Sequence, residues 1–365
     1  MKDLVLVTGA GGFIGHHLVT YLKQQGFKVR GADIKYPEYQ ESRADEFLKV
    51  DLREADNCQL ACKDVKWVFH LAADMGGIGF ISQVHAEVCV NNTKMNLNLL
   101  EAARESQVER FLFSSTACIY PLWMQKIPEI KPLKESDAHP AEPEEGYGWE
   151  KLYMEKLCQY FTQDYGLETR VARFHNVYGP MGSYKGGREK APAAVCYKVA
   201  SAKAGDEIEV WGDGKQTRSF MYVQDCVEGV LKLMKSEHKE PLNLGTQEMI
   251  TIDELYDLAS NLANKPIIKV HNLTKPQGVR GRNSDNSKIR QVLGWEPKIT
   301  ISDGLQPTLN WIQSEVLRFK DTPGYEMLKE AVSNVKDTAN AVLTVAKGDG
   351  VKNTDTDTAS NIIQK

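Results

Sequence analysis

Tyr147 and Lys151 stand four residues apart in YGWEK, so on a helix they face the same way, one turn apart. A tyrosine with its ordinary pKa of about 10 is a poor base at neutral pH, and a neighbouring ammonium favours the phenolate. The pair therefore offers a base for a hydroxyl whose carbon gives up a hydride. Thr116, in FSSTACIY at the end of an apolar run, can share the hydrogen bond to the same oxygen. A lone Tyr-xxx-Lys is common on surface helices; here it gains weight from what lies upstream.

Upstream, Gly9, Gly12 and Gly15 form GxxGxxG directly after an apolar run and at the start of a helical pattern, with Phe13 and Ile14 between the last two. A pyrophosphate-binding turn needs a sharp bend and close backbone approach, which a Cβ obstructs, and a helix N-terminus then offers free N–H groups. A glycine turn without ligand is the plainer alternative. Asp33 argues for a dinucleotide, because it ends the second apolar run 18 residues after Gly15. An acid there accepts hydrogen bonds from a ribose 2′-OH and repels a 2′-phosphate, so NAD is expected over NADP, although Lys35 tempers this. Asp51-Leu52 and His70-Leu71-Ala72-Ala73 follow later runs and fall where adenine and ribose would be reached.

These residues need elements to hold them. Apolar runs at 4–7, 29–34, 65–71, 110–114 and 169–174 alternate with helical patterns such as 93–105 and 148–165, which predicts βαβ units. Runs apolar throughout suit a parallel sheet covered on both faces. The expected fold is α/β: a Rossmann-type doubly wound parallel sheet with a smaller α/β substrate-binding domain. Residues 1–175 read as the NAD-binding domain, with a return near 219–245. Residues 176–318 read as the substrate-binding domain, and 319–365 as a partly disordered extension ending in GDGVKNTDTDTASNIIQK.

The 365 residues suffice for two domains, and 42% apolar with 26% charged residues is ordinary globular composition. A net charge of −4 gives no basic field for nucleic acid or an acidic membrane surface. No run approaches 18 apolar residues, so no membrane span is expected. The start, MKDLVLVTGAGG, breaks at glycine too soon for a secretory leader. Seven scattered cysteines without CxxC make disulfides or zinc improbable and point to a reducing cytoplasm.

The segments TGAGGFIG, HLAA, SSTACIY, YGWEK, RFHNVYGP and GDGKQTRSFMYVQD resemble the extended short-chain dehydrogenase/reductases over roughly residues 3–315. DMGGIGFI, STACIYP, GGREKAPAA and GVRGRNSDN are similar, more narrowly, to the branch that acts at C3 and C5 of GDP-mannose. That resemblance implies bound NAD, a GDP-sugar substrate, GDP-L-galactose as product with GDP-L-gulose as a second candidate, and a homodimer. It also implies that Cys118 and Lys190 exchange protons flanking a transient C4 ketone. A thiol can do so where cations lower its pKa, but a small buried apolar side chain is the usual fate of a free cysteine. By the same resemblance, Arg218 and Arg282 grip the diphosphate, Asn176 meets a phosphate or sugar oxygen, and Lys198 meets the nucleotide end. Gly76, Glu189, Ala191 and Gln216 complete the implied substrate set, and Lys185 and Arg188 give the Lys190 loop a basic mouth. Two rivals stand beside this: a nucleotide-sugar 4-epimerase or 4,6-dehydratase, and a non-enzymatic NAD-binding protein. Dehydratases carry Thr-Asp-Glu where this chain has Thr116-Ala117-Cys118, and Ala117 has no proton to give.

Overall fold

The first apolar run becomes β1 (Leu4–Thr8), and its alternation divides the core in two. Val5 and Val7 pack in one hydrophobic cluster, while Leu6 points into another, as strand geometry requires. The computed structural model describes residues 3–320. Helix α1 (Phe13–Gln24), β2 (Lys28–Asp33), β3 (Glu46–Lys49), α2 (Ala55–Cys62) and β4 (Trp67–His70) follow in alternation. Next come α3 (Ile78–Ile81), α4 (Ala86–Glu105), β5 (Arg110–Thr116), α5 (Glu145–Tyr165) and β6 (Glu168–Phe174). Between β5 and α5 the chain makes short 3-10 turns, the first at Ala117–Ile119.

After these lie β7 (Val177–Tyr178), α6 (Ala191–Ser201), β8 (Glu207–Trp211), β9 (Thr217–Arg218), β10 (Met221–Tyr222), α7 (Val223–Lys235) and β11 (Leu242–Leu244). The described chain ends with β12 (Ile250–Thr251), α8 (Ile252–Ala263), β13 (Ile268–Asn272), β14 (Gly281–Arg282), α9 (Ser287–Leu293) and α10 (Ile301–Lys320).

Seven strands form one sheet in the order β11-β6-β5-β4-β1-β2-β3, every pair parallel. This is the expected Rossmann-type sheet. One face is covered by α1 and α7, with Leu18, Leu22, Val227 and Val230 packed on Val5 and Val7. The other is covered by α2, α4 and α5, where Leu99, Leu100, Met154 and Phe161 meet Leu6, Val68 and Phe111. Strand order reverses between β1 and β4, so a crevice opens at their carboxyl ends. Away from the sheet, β8 pairs with β13 beneath α6 and α8, and β9 joins β12 and β14.

Residues up to Gln313 form one compact unit. Of the unit that begins at Ser314, the described part is the end of α10; the expected extension beyond Lys320 lies outside the described residues. Two helices start earlier than their sequence patterns imply, α4 at Ala86 rather than 93 and α5 at Glu145 rather than 148. Both openings carry residues that mask the apolar period, and for α5 these are Gly146 and Gly148.

Candidate active site

The glycine turn between β1 and α1 is built by close contact. Gly9 has a φ of +70°, and a Cβ on it would lie 2.8 Å from the Ala72 nitrogen. A Cβ on Gly15 would lie 2.0 Å from the Gly9 oxygen, so only glycine lets α1 pack onto the turn. Gly12 is the N-cap of α1, and no side chain caps the helix, leaving its first N–H groups for an anion. Asp33 closes the turn from the β2 side, its Oδ2 accepting from the Gly11 N–H at 2.9 Å.

Above this turn lies a cavity of about 610 Å³. Gly9, Gly12, Phe13, Ile14, Gly15, Asp33, Asp51, Leu52, Leu71, Ala72, Thr116, Tyr147 and Lys190 all line it. The expected cofactor residues are thus brought together, except that Lys151 stands behind the wall. An uncapped helix, a turn built on glycine and an acid lining the same cavity fit NAD.

Tyr147 and Lys151 are both buried on α5. The Tyr147 hydroxyl faces the Thr116 side chain. Lys151 Nζ donates to the Ser114 carbonyl at 3.0 Å and lies 5.8 Å from the Tyr147 ring centre. Burial holds Tyr147 well above its ordinary value and pushes Lys151 below its own. The ammonium bonds the Ser114 carbonyl rather than the phenol oxygen, and desolvation dominates both groups.

A buried polar chain that the sequence reading missed backs this pair. Thr8 Oγ1 meets His70 Nδ1 at 2.8 Å, and His70 Nε2 meets Asn96 Oδ1 at 2.8 Å. Asn96 and Asn92 donate to the Glu150 carboxylate at 3.1 and 2.8 Å. Asn92 in turn donates to the Asp74 carbonyl at 3.1 Å. The i, i+4 spacing of Asn92 and Asn96 was the available signal, since it places both on one helix face. Burial pushes Glu150 up and His70 down to about 3.

Cys118 does not line the cavity. Its side chain keeps a partly open face within dense surroundings, within electrostatic reach of Tyr147 and Lys190, which do line it. Burial, aided by Glu144, pushes the thiol up to about 11. Lys190 is the N-cap of α6, ahead of Ala191 and Pro192, and burial lowers its pKa. Arg282 approaches the Cys118 sulfur at 3.5 Å and pairs with Glu144 at 2.9 Å. Burial and Arg282 push Arg218 down to about 9, still a cation at neutral pH. Arg218 and Arg282 thus both face the Glu144 carboxylate, and Lys190 lies within electrostatic reach of Arg282.

The other expected substrate residues form the surroundings of this cluster. Asn176 donates to the Ser219 carbonyl at 3.1 Å. Gln216 is buried with its Oε1 unpartnered, as is Glu189 Oε2. Lys198 donates to the Glu209 carbonyl at 2.6 Å, beside Trp211. A Cβ on Gly76 would meet Phe80 at 2.8 Å, and one on Gly77 would meet the Glu189 oxygen at 2.4 Å. Arg188 does not stand free at a basic mouth: it pairs with Asp74 at 2.9 Å and lies over the Phe80 ring. That pair ties the 74–81 segment to the Lys190 loop.

Residues 5–245 match the model of the NAD dependent epimerase/dehydratase family. The chain belongs to that family, the class that the parallel sheet, glycine turn and Tyr-Lys helix define. It is 47% identical to GDP-mannose 3,5-epimerase 1 of Oryza sativa subsp. indica over 89% of this chain and 86% of that one. It is 46% identical to GDP-mannose 3,5-epimerase of Arabidopsis thaliana over 87% of this chain and 84% of that one. Among solved structures, it is similar to a UDP-glucose 4-epimerase of Thermotoga maritima with UDP-glucose, at a TM-score of 0.78 and 27% identity over 86% and 99% of the two chains. A UDP-glucose 4-epimerase of Thermus thermophilus in complex with NAD aligns with a TM-score of 0.71 and 26% identity, over 85% and 99%.

Proposed function

We propose that the protein converts GDP-mannose into GDP-L-galactose, with GDP-L-gulose as a second product, by transient oxidation at C4 and proton exchange at C3 and C5. The observation that carries this reading is that Lys190 and Tyr147 line one cavity and both lie within electrostatic reach of the Cys118 thiol. Bound NAD supplies hydride acceptance and return at C4. Tyr147, in its deprotonated form and with Thr116 facing the same oxygen, takes the proton of the C4 hydroxyl. Lys151 holds the segment that carries Thr116 through the Ser114 carbonyl. With C4 a ketone, the hydrogens at C3 and C5 become acidic, and inversion needs a base on one face and an acid on the other. Cys118 and Lys190 supply that pair. Arg218 and Arg282 offset the charge of the diphosphate.

The 46–47% identity to two GDP-mannose 3,5-epimerases supports the substrate assignment. Ala117, buried in an apolar cluster, argues against 4,6-dehydration, which needs a proton donor there. A panel of GDP-mannose against UDP- and dTDP-sugars, with products read by NMR, tests the reading. GDP-L-galactose from GDP-mannose alone is expected. A product inverted only at C4, or lacking the C6 oxygen, would overturn it.

We also infer a homodimer in a reducing cytoplasm. Trp149, Tyr153 and Tyr160 stand exposed along α5, an apolar face suited to a second copy. All seven cysteines are free, and no helix among the described residues is long and apolar enough to cross a membrane. Sedimentation of W149E/Y153E as a monomer, against a dimeric parent, checks the assembly; a monomeric parent would refute it.

A further inference from the structure

Glu144 joins the two halves of the chemistry. It is the N-cap of α5, three residues before Tyr147, and its backbone N–H donates to the Cys118 carbonyl at 2.8 Å. Its carboxylate accepts from Arg282 Nη2 at 2.9 Å. Arg282 Nη1 reaches the Cys118 sulfur at 3.5 Å, and its Nε donates to Gln125 Oε1 at 2.6 Å. The Gln125 amide then donates to the Tyr120 and Pro121 carbonyls at 3.1 and 3.2 Å, beyond the thiol on the same loop. A Cβ on Gly148 would lie 2.5 Å from the Cys118 oxygen, so α5 presses directly on this loop. Both members of the Glu144–Arg282 pair are buried.

We propose that Glu144 is a positioning residue for Cys118: through its pair with Arg282 it fixes the sulfur and keeps it protonated between turnovers. This rests on the reading that Cys118 exchanges protons with substrate. The groups facing the thiol are Tyr147 and Glu144 from α5, Thr116 from its own loop, Lys190 ahead of α6, Arg218 on β9 and Arg282 on β14. Five of the six are tyrosine, hydroxyl or cations that either leave the thiolate alone or favour it. The one carboxylate acts the other way twice: it repels a thiolate, and it neutralises the guanidinium nearest the sulfur. Remove its charge and Arg282 stands unpaired beside the thiol, which then ionises more readily.

The test is the pH dependence of iodoacetamide alkylation at Cys118 in the NAD-loaded enzyme, read on the Cys118 peptide by mass spectrometry, with kcat and KM for GDP-mannose. In E144Q the alkylation midpoint is expected to fall by about one pH unit or more. Turnover is expected to drop about tenfold or more while KM stays within about threefold, because the thiol's proton state bears on the chemical step rather than on binding. E144D, which keeps the charge at a longer distance, should fall between, and an intermediate midpoint in it alone suffices if E144Q does not fold. Unchanged midpoints in the folded variants would overturn the proposal. A lowered midpoint in an enzyme whose parent exchanges no deuterium at C3 or C5 would sink the functional reading and leave Glu144's hold on the thiol standing.

Discussion

Asp33 Oδ2 accepts a hydrogen bond from the Gly11 N–H at 2.9 Å, so the acid that ends β2 also fastens the glycine turn that follows β1. Its Oδ1 accepts from the Lys35 N–H at 3.0 Å. One side chain thus shapes the turn and presents its charge to the cavity. Asp33→Ala should weaken NAD binding by about 10- to 100-fold, the loss of one or two charge-assisted hydrogen bonds. It should also narrow the preference over NADP by removing repulsion of a 2′-phosphate. Titration of cofactor fluorescence checks both; unchanged discrimination would refute the role.

Tyr147→Phe removes the phenol that meets Thr116 but keeps the buried ring. Turnover should fall by about 10²- to 10⁴-fold, with bound NAD and melting temperature near those of the parent. Steady-state kinetics and cofactor content after gel filtration decide it.

Gly77 offers a test of the loop that carries Lys190. A Cβ there would lie 2.4 Å from the Glu189 oxygen, which must then shift and take Lys190 with it. A displacement of about 1 Å can cost about 10²-fold in rate, so Gly77→Ala should lower kcat/KM by about tenfold or more. The cofactor turn lies elsewhere, and NAD affinity should hold.

His70 and His175 are fully buried, and desolvation pushes both down to about 3. The unfolded chain binds these protons near pH 6.5, while the folded protein refuses them. Their burial therefore costs nothing above that pH, and stability is lost as pH falls from about 6.5 towards 3. Each should contribute about 1.4 kcal/mol per pH unit in that window. Chemical denaturation at pH 7, 6 and 5 should show a falling free energy, with both ring signals in NMR unmoved; protonation of either ring in the folded protein near pH 6 would contradict this.

The sheet and cofactor turn were legible because their residue types leave few alternatives. LVLVT must be buried on both faces, and a Cβ on Gly9, Gly12 or Gly15 would lie 2.8, 3.2 or 2.0 Å from neighbouring backbone. The start of α5 was not legible, for the same reason inverted. Gly146 reads as loop and Gly148 as the first helical residue, yet both sit inside the helix, where Cys89 Sγ and the Cys118 oxygen leave no room for a Cβ. Glu144 was hidden in AEPEEG, where acids read as solvated surface; only the fold brings Arg282, 138 residues later, against it. The start of α4 was obscured by Asn92 and Asn96, polar residues on its buried face. Nothing in the local sequence marks that the Lys198 amine donates to the Glu209 carbonyl on β8.

The most direct measurement is incubation with GDP-mannose in heavy water, with recovered sugars examined by NMR. Two side chains working on the carbons that flank a transient ketone predict deuterium at C3 and at C5, and none at C4, where hydride leaves and returns without meeting solvent. In Cys118→Ala, exchange at both carbons should collapse while oxidation at C4, seen as reduced nicotinamide absorbance, persists. Recovery of epimerised sugar without deuterium at C3 and C5 would contradict the account.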